Sequence, residues 1–170
     1  GLKSFLRVSV RNTYGKLLIN KSAFSEMILK LIPKFAKKHK VLRSLIKIFP
    51  LARYQTFKFN DYLIFSNLQD AEARQVFITN KFEDYGYFFL AEHFLPQNGI
   101  HFDVGANYGF QTFGLFNRFS NNQIKYFLIE PNSDCHYCHN KTAEFNPQLY
   151  IKSCPVGLSS YNGDAHFQYC

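Results

Sequence analysis

The chain has 170 residues, 46% of them apolar, with 20 Phe and 11 Tyr, which excludes a disordered polymer and allows one domain with a real core. Its net charge of +8 is uneven: residues 1–60 hold 14 Lys/Arg against Glu26 alone (+13), while residues 61–170 hold 6 against 11 acids (−5). No apolar run approaches the roughly 18 residues of a membrane helix, no signal-peptide pattern is visible, and four cysteines without such a signal point to a reduced, cytoplasmic setting.

In chain order, residues 22–32 read as an amphipathic helix, with Phe24, Met27, Ile28, Leu31 and Ile32 at helical spacing behind a Ser22 cap. A second helix is predicted over 34–49. Leu42, Leu45, Ile46 and Phe49 form its apolar face, lysines and Arg43 the other, and Pro50 stops it. Together they make residues 1–53 a basic helical arm. Residues 56–60 and 62–66 read as a hairpin turning at Asn60-Asp61, in which Phe57, Phe59, Leu63 and Phe65 alternate with more polar neighbours. Residues 71–80 are ambiguous, and 84–94 read as a helix ended by Pro96 and Gly99. From Ile100 the pattern alternates. A buried strand at 100–104, a glycine turn at 105–109 and a helix at 110–119 are followed by a strand at 124–129, a helix at 132–146, a strand at 149–158 and a further strand at 164–169. This order predicts an α/β domain over residues 54–170 with a doubly wound, mostly parallel sheet.

The chemistry concentrates at the first strand-to-helix junction. Asp103 ends a strand, Gly105-Ala106-Asn107-Tyr108-Gly109 turn the chain, and Thr112 lies in the helix that follows. In open α/β sheets ligands bind beyond the carboxyl ends of the strands. Gly105 permits a tight turn and Gly109 a close approach of helix to strand. A dinucleotide turn wants G-x-G-x-x-G, and Asn107 stands where its second glycine belongs. Asp103 also suits a cationic ligand better than a pyrophosphate. S-adenosylmethionine, with its sulfonium and ammonium, meets both conditions. Glu130-Pro131 follow the second strand, and Glu130 lies 25 residues beyond Gly105, about where an acid accepts from both ribose hydroxyls. A strand-end acid or a Gly-x-x-x-Gly alone is common; their combined order is what points to a nucleoside-type ligand.

Residues 102–112, F-D-V-G-A-N-Y-G-F-Q-T, resemble the first motif, D-V-G-A-N-x-G-x-x-T, of the FkbM family of S-adenosylmethionine-dependent methyltransferases. Glu130-Pro131-Asn132 resembles its second motif, and Val156-Gly157-Leu158-Ser159 with Asn162-Gly163-Asp164 its third-strand region. The likeness covers about residues 75–170. It implies a Rossmann-like class I methyltransferase fold, S-adenosyl-L-methionine as cofactor, and methyl transfer to a hydroxyl of a sugar, glycan or other secondary metabolite. The cofactor site it implies is Asp103, Gly105, Ala106, Asn107, Gly109, Thr112, Glu130 and Pro131. The family's K-x-D-x-E-G motif has no counterpart before Cys170, so the expectation is the N-terminal part of a catalytic domain, with its acceptor pocket incomplete and its general base unassigned. The alternative is a methyltransferase-like module that docks to a membrane or partner without turnover.

Other signals carry less. Cys135-His136-Tyr137-Cys138-His139 matches the C-x-x-C-H haem pattern, but it falls inside the helix predicted at 132–146 and no export signal accompanies it. No metal is expected there, because no second ligand pair has matching spacing. Cys154 reads as a buried small hydrophobe, and His101 as a core histidine bonded to a backbone carbonyl. The basic arm interleaves Lys/Arg with Leu, Ile and Phe, not with stacking aromatics. That favours peripheral contact with an anionic, inner membrane face, or an ordinary solvated helical subdomain, over nucleic acid.

Overall fold

The computed structural model of the protein describes residues 40–44, 53–119, 123–160 and 163–164. The helix expected at 22–32 lies outside them, as do most of 34–49 and all of 164–169 beyond Asp164; residues 40–44 are helical. Among the described residues no helix is long and apolar enough to cross a membrane.

Strands β1 (Tyr54–Phe59) and β2 (Tyr62–Asn67) form the expected antiparallel hairpin. Asn60 adopts a left-handed φ of 54° at the turn, which Asn tolerates better than most residues. The register opposes Phe59 to Tyr62 and Phe57 to Ile64. The buried face therefore carries Phe57, Phe59, Tyr62 and Ile64, and the expected apolar set is split: Leu63 and Phe65 lie on the opposite face, with Leu63 exposed. Helix α1 (Ala71–Thr79) resolves the ambiguous stretch. Asp70 caps it by accepting from the Ala73 N–H at 2.8 Å, and Asn80, at φ 53°, ends it. Helix α2 (Tyr85–Phe94) opens on Asp84, which accepts from the Tyr87 N–H, and it buries only Phe88.

Strands β3 (Ile100–Val104), β4 (Lys125–Ile129) and β5 (Tyr150–Cys154) make a parallel sheet in the order β3-β4-β5. Helices α3 (Phe110–Leu115) and α4 (Ser133–Phe145) connect them, so this part is mixed α/β as expected. Helix α3 is shorter than predicted. Past Leu115 two bonds span three residues, Phe116 N–H to Phe113 and Arg118 N–H to Leu115, and tighten the last turn, while Phe119 N–H still reaches Leu115. Strand β5 stops at Cys154 and not at 158, because Pro155 has no N–H to continue a ladder.

Phe110, Phe113, Phe116, Tyr126 and Leu128 fill the space between α3 and the sheet, with ring centroids 5.4 Å apart for Phe113–Phe116 and 5.1 Å for Phe116–Tyr126. Gly114 admits the Phe88 ring of α2; a methyl group there would overlap it. The covering helices lie on the sheet face that carries Asp103 and Ser153, which bond to Thr112 of α3 and to His139 of α4. On the opposite face Ile100, Phe102 and Val104 are each more than half exposed, and Phe102 stacks on Phe127 at 5.2 Å. The expected burial of β3 is corrected: within β3 only Asp103 is buried.

Helix α4 also closes the outer edge of the hairpin. Asn146 accepts from the Leu63 N–H at 3.2 Å and donates to the Leu63 carbonyl at 2.7 Å, and Thr142 accepts from the Phe65 N–H at 3.0 Å.

Candidate functional site

The glycine turn between β3 and α3 is built from three left-handed residues: Gly105 (φ 75°), Asn107 (φ 47°) and Gly109 (φ 85°). It is tied to the neighbouring strand, since the N–H groups of Gly105 and Ala106 both donate to the Ile129 carbonyl, at 2.9 and 3.2 Å. The two glycines serve different ends. A Cβ on Gly109 would lie 2.7 Å from Leu128 Cδ2, so this glycine lets α3 approach β4. A Cβ on Gly105 would meet nothing within 4 Å, so there the open space beside the backbone is available to a ligand.

Glu130 follows β4 directly, its N–H donating to the Cys154 carbonyl at 3.1 Å. One carboxylate oxygen accepts from the Asn107 N–H at 3.1 Å and the other from the Asn132 N–H at 3.0 Å. A carboxylate oxygen has two acceptor positions, so each keeps one beyond these bonds. Pro131 separates Glu130 from Asn132, which caps α4 by accepting from the Asp134 N–H at 2.9 Å. The predicted residues thus fall into two groups. Gly105, Ala106, Asn107, Gly109, Glu130 and Pro131 gather at the carboxyl ends of β3 and β4. Asp103 and Thr112 lie together beneath α3, both buried, with the Thr112 hydroxyl donating to Asp103 at 2.6 Å.

A second cluster adjoins the turn and was not predicted. Asp134 accepts from the hydroxyls of Tyr54 and Tyr108, the latter at 2.7 Å, from the Asn67 amide at 2.6 Å and from Arg53 at 3.4 Å. Burial raises the Asp134 pKa, but these donors outweigh it and hold the carboxyl below its ordinary range. Burial and the facing carboxylate push the Tyr54 phenol up to about 12 and that of Tyr108 higher still. Tyr108 belongs to the glycine turn, yet Asn67 and Tyr54 come from the distant hairpin, and no local pattern joins them to Asp134.

His101 pairs with the Tyr87 hydroxyl and not with a backbone carbonyl. Cys135 and Cys138 are buried on α4, and burial raises both thiols, Cys135 to about 12. Cys154 is half-buried, not fully buried as expected. Among the described residues no group of three or more His, Cys, Asp or Glu is placed to hold a metal ion. The chain matches no protein-family profile and no curated protein sequence.

Proposed function

We propose that the protein is the cofactor-binding part of an FkbM-type, S-adenosylmethionine-dependent O-methyltransferase with a Rossmann-like class I fold, acting on a hydroxyl of a sugar, glycan or other secondary metabolite. One observation carries the reading: Glu130, at the carboxyl end of β4, is held beside the glycine turn by the Asn107 N–H. A ribose diol needs such a two-oxygen acceptor, and a nucleoside needs the bare backbone that Gly105 leaves open. The same bond weighs against a dinucleotide, because the Asn107 N–H that a pyrophosphate would use is already directed at a carboxylate.

In this reading Gly105 and Ala106 form the floor of the site, Glu130 holds the ribose and Pro131 fixes the chain that carries it. Gly109 seats α3, and Asp103, accepting from the Thr112 hydroxyl, anchors that helix beneath the turn. The bound cofactor supplies an electrophilic methyl group; the chain binds and orients it, which is the larger part of catalysis in an aligned displacement. Isothermal titration with S-adenosylhomocysteine and, separately, with NAD tests the reading. Saturable binding of the first only is expected, with Glu130→Gln weakening it by about 1–3 kcal/mol, as for a lost charge-assisted bond. No binding to the wild-type chain, or unchanged affinity in Glu130→Gln, refutes it.

A further inference from the structure

The C-x-x-C-H segment has no part in the cofactor reading, yet its last residue reaches the turn. His139 is fully buried on α4. Its Nε2 lies 2.8 Å from the Asn107 carbonyl and its Nδ1 3.0 Å from the Ser153 hydroxyl of β5. A carbonyl only accepts, so Nε2 carries the hydrogen. Burial holds the imidazole pKa down to about 4, so near neutral pH the ring is uncharged and its Nδ1 accepts from the Ser153 hydroxyl. The Ser153 oxygen is then left to accept from His136 Nδ1, 2.7 Å away, while His136 Nε2 accepts from the Asn140 amide at 3.0 Å. Every donor in this line meets an acceptor, and the line ends on the turn.

Asn107 is held at three points. Its N–H donates to Glu130, its carbonyl accepts from His139, and its side-chain oxygen accepts from the Cys135 thiol at 3.6 Å. Its φ of 47° is left-handed, which Asn tolerates better than most residues but which is still less common than the right-handed region. We infer that His139 is a positioning residue, which locks Asn107 in this conformation and thereby aims its N–H at Glu130. The peptide plane with the Asn107 carbonyl is pinned by the buried ring, while the plane with its N–H is held by Glu130 and by the Ala106 carbonyl, which accepts from the Gly109 N–H at 2.7 Å. Losing the ring bond frees the carbonyl plane to turn about ψ, and the left-handed Asn107 then relaxes, which strains its N–H bond to Glu130. The consequence for cofactor affinity rests on the reading of Glu130 given above; the consequence for the turn does not.

The test uses the 170-residue chain, S-adenosylhomocysteine as probe and backbone amide resonances of residues 105–109. His139→Phe keeps a ring without the donor, and His139→Gln keeps a donor at the Nε2 position. In His139→Phe the turn resonances move and affinity drops about tenfold, as for one lost hydrogen bond. In His139→Gln affinity stays within about threefold of wild type and the resonances return toward it. Wild-type affinity and unmoved resonances in His139→Phe overturn the inference. If that variant does not fold, Ser153→Ala decides: an affinity loss of about threefold with the same resonances moving supports it, and no change overturns it. If the wild-type chain binds no probe, the cofactor reading fails; resonances that move in His139→Phe and return in His139→Gln still establish the positioning role.

Discussion

Acid should destabilise this fold, and most strongly through the His139 ring. An imidazole titrates near 6.5 in an unfolded chain, while in the fold burial holds His139 to about 4, opposed in part by its bond to Asn107. Between these values the unfolded state binds the extra proton, so stability falls as pH drops from about 6.5 to about 4 and the effect is complete below that. A gap of about 2.5 pH units at about 1.4 kcal/mol each gives about 3 kcal/mol, a large part of the roughly 5–15 kcal/mol that a small domain commands. His101, also lowered by burial, adds in the same direction, so the diagnostic quantity is a difference between variants. Urea unfolding followed by far-UV circular dichroism, at steps from pH 7 to pH 4, measures it in wild type and in His139→Gln, which cannot titrate. The wild-type curve should lose about 3 kcal/mol more than the variant across this range. Parallel curves would refute the reasoning, since His139 would then be either accessible or charged in the fold.

The two turn glycines should respond differently to alanine. Gly105→Ala should cost only about 1–2 kcal/mol of backbone strain yet abolish S-adenosylhomocysteine binding, whereas Gly109→Ala should cost about 3 kcal/mol or more because its methyl meets Leu128; thermal denaturation beside titration separates them. Gly114→Ala should destabilise by overlapping Phe88, and Phe88→Leu should rescue it in part, with a coupling of about 1 kcal/mol or more in a double-mutant cycle. Asp134→Asn should lower stability by about 2 kcal/mol at pH 7. Because the folded carboxyl titrates below its ordinary value, that contribution is present above about 3.8 and disappears as pH falls through the lower folded value, so the variant and wild type should converge in strong acid. Residues 1–50 carry +11, from 12 Lys/Arg and Glu26, and the chain should co-sediment with anionic vesicles at low salt but not at high salt; no binding at low salt leaves an ordinary helical subdomain.

What the sequence disclosed was local. Gly105, Gly109 and Glu130 were legible because a strand, a tight turn and a strand-end acid each need a particular residue type at a short spacing. The helix at Ala71–Thr79 was not, since its identity rests on an Asp70 cap and an Asn80 stop that flank a weakly patterned stretch. In the hairpin the elements were plain, but the faces were not. A two-residue turn opposes Phe57 to Ile64 and so sends Leu63 and Phe65 to the other face, where Leu63 is exposed and Phe65 packs on Tyr137 of α4. Burial of β3 depended on what lies over its outer face, which no property of residues 100–104 can report. Asp134 and His139 were missed for one reason: Asn67, Tyr54, Asn107 and Ser153 reach them only through the folded chain.

The closure of β2 by α4 sets an order of assembly. An exposed strand edge recruits other strands, and here Asn146 and Thr142 occupy the outward backbone groups of Leu63 and Phe65 from positions 83 and 77 residues away. The hairpin itself needs only a two-residue turn and closes within microseconds. Its protection has to wait until α4 has formed and the long intervening loop has closed, a slower step. Until then the emerging chain carries a ready-made, sticky edge rich in Phe and Tyr, and the speed with which α4 arrives decides whether neighbouring chains pair there first.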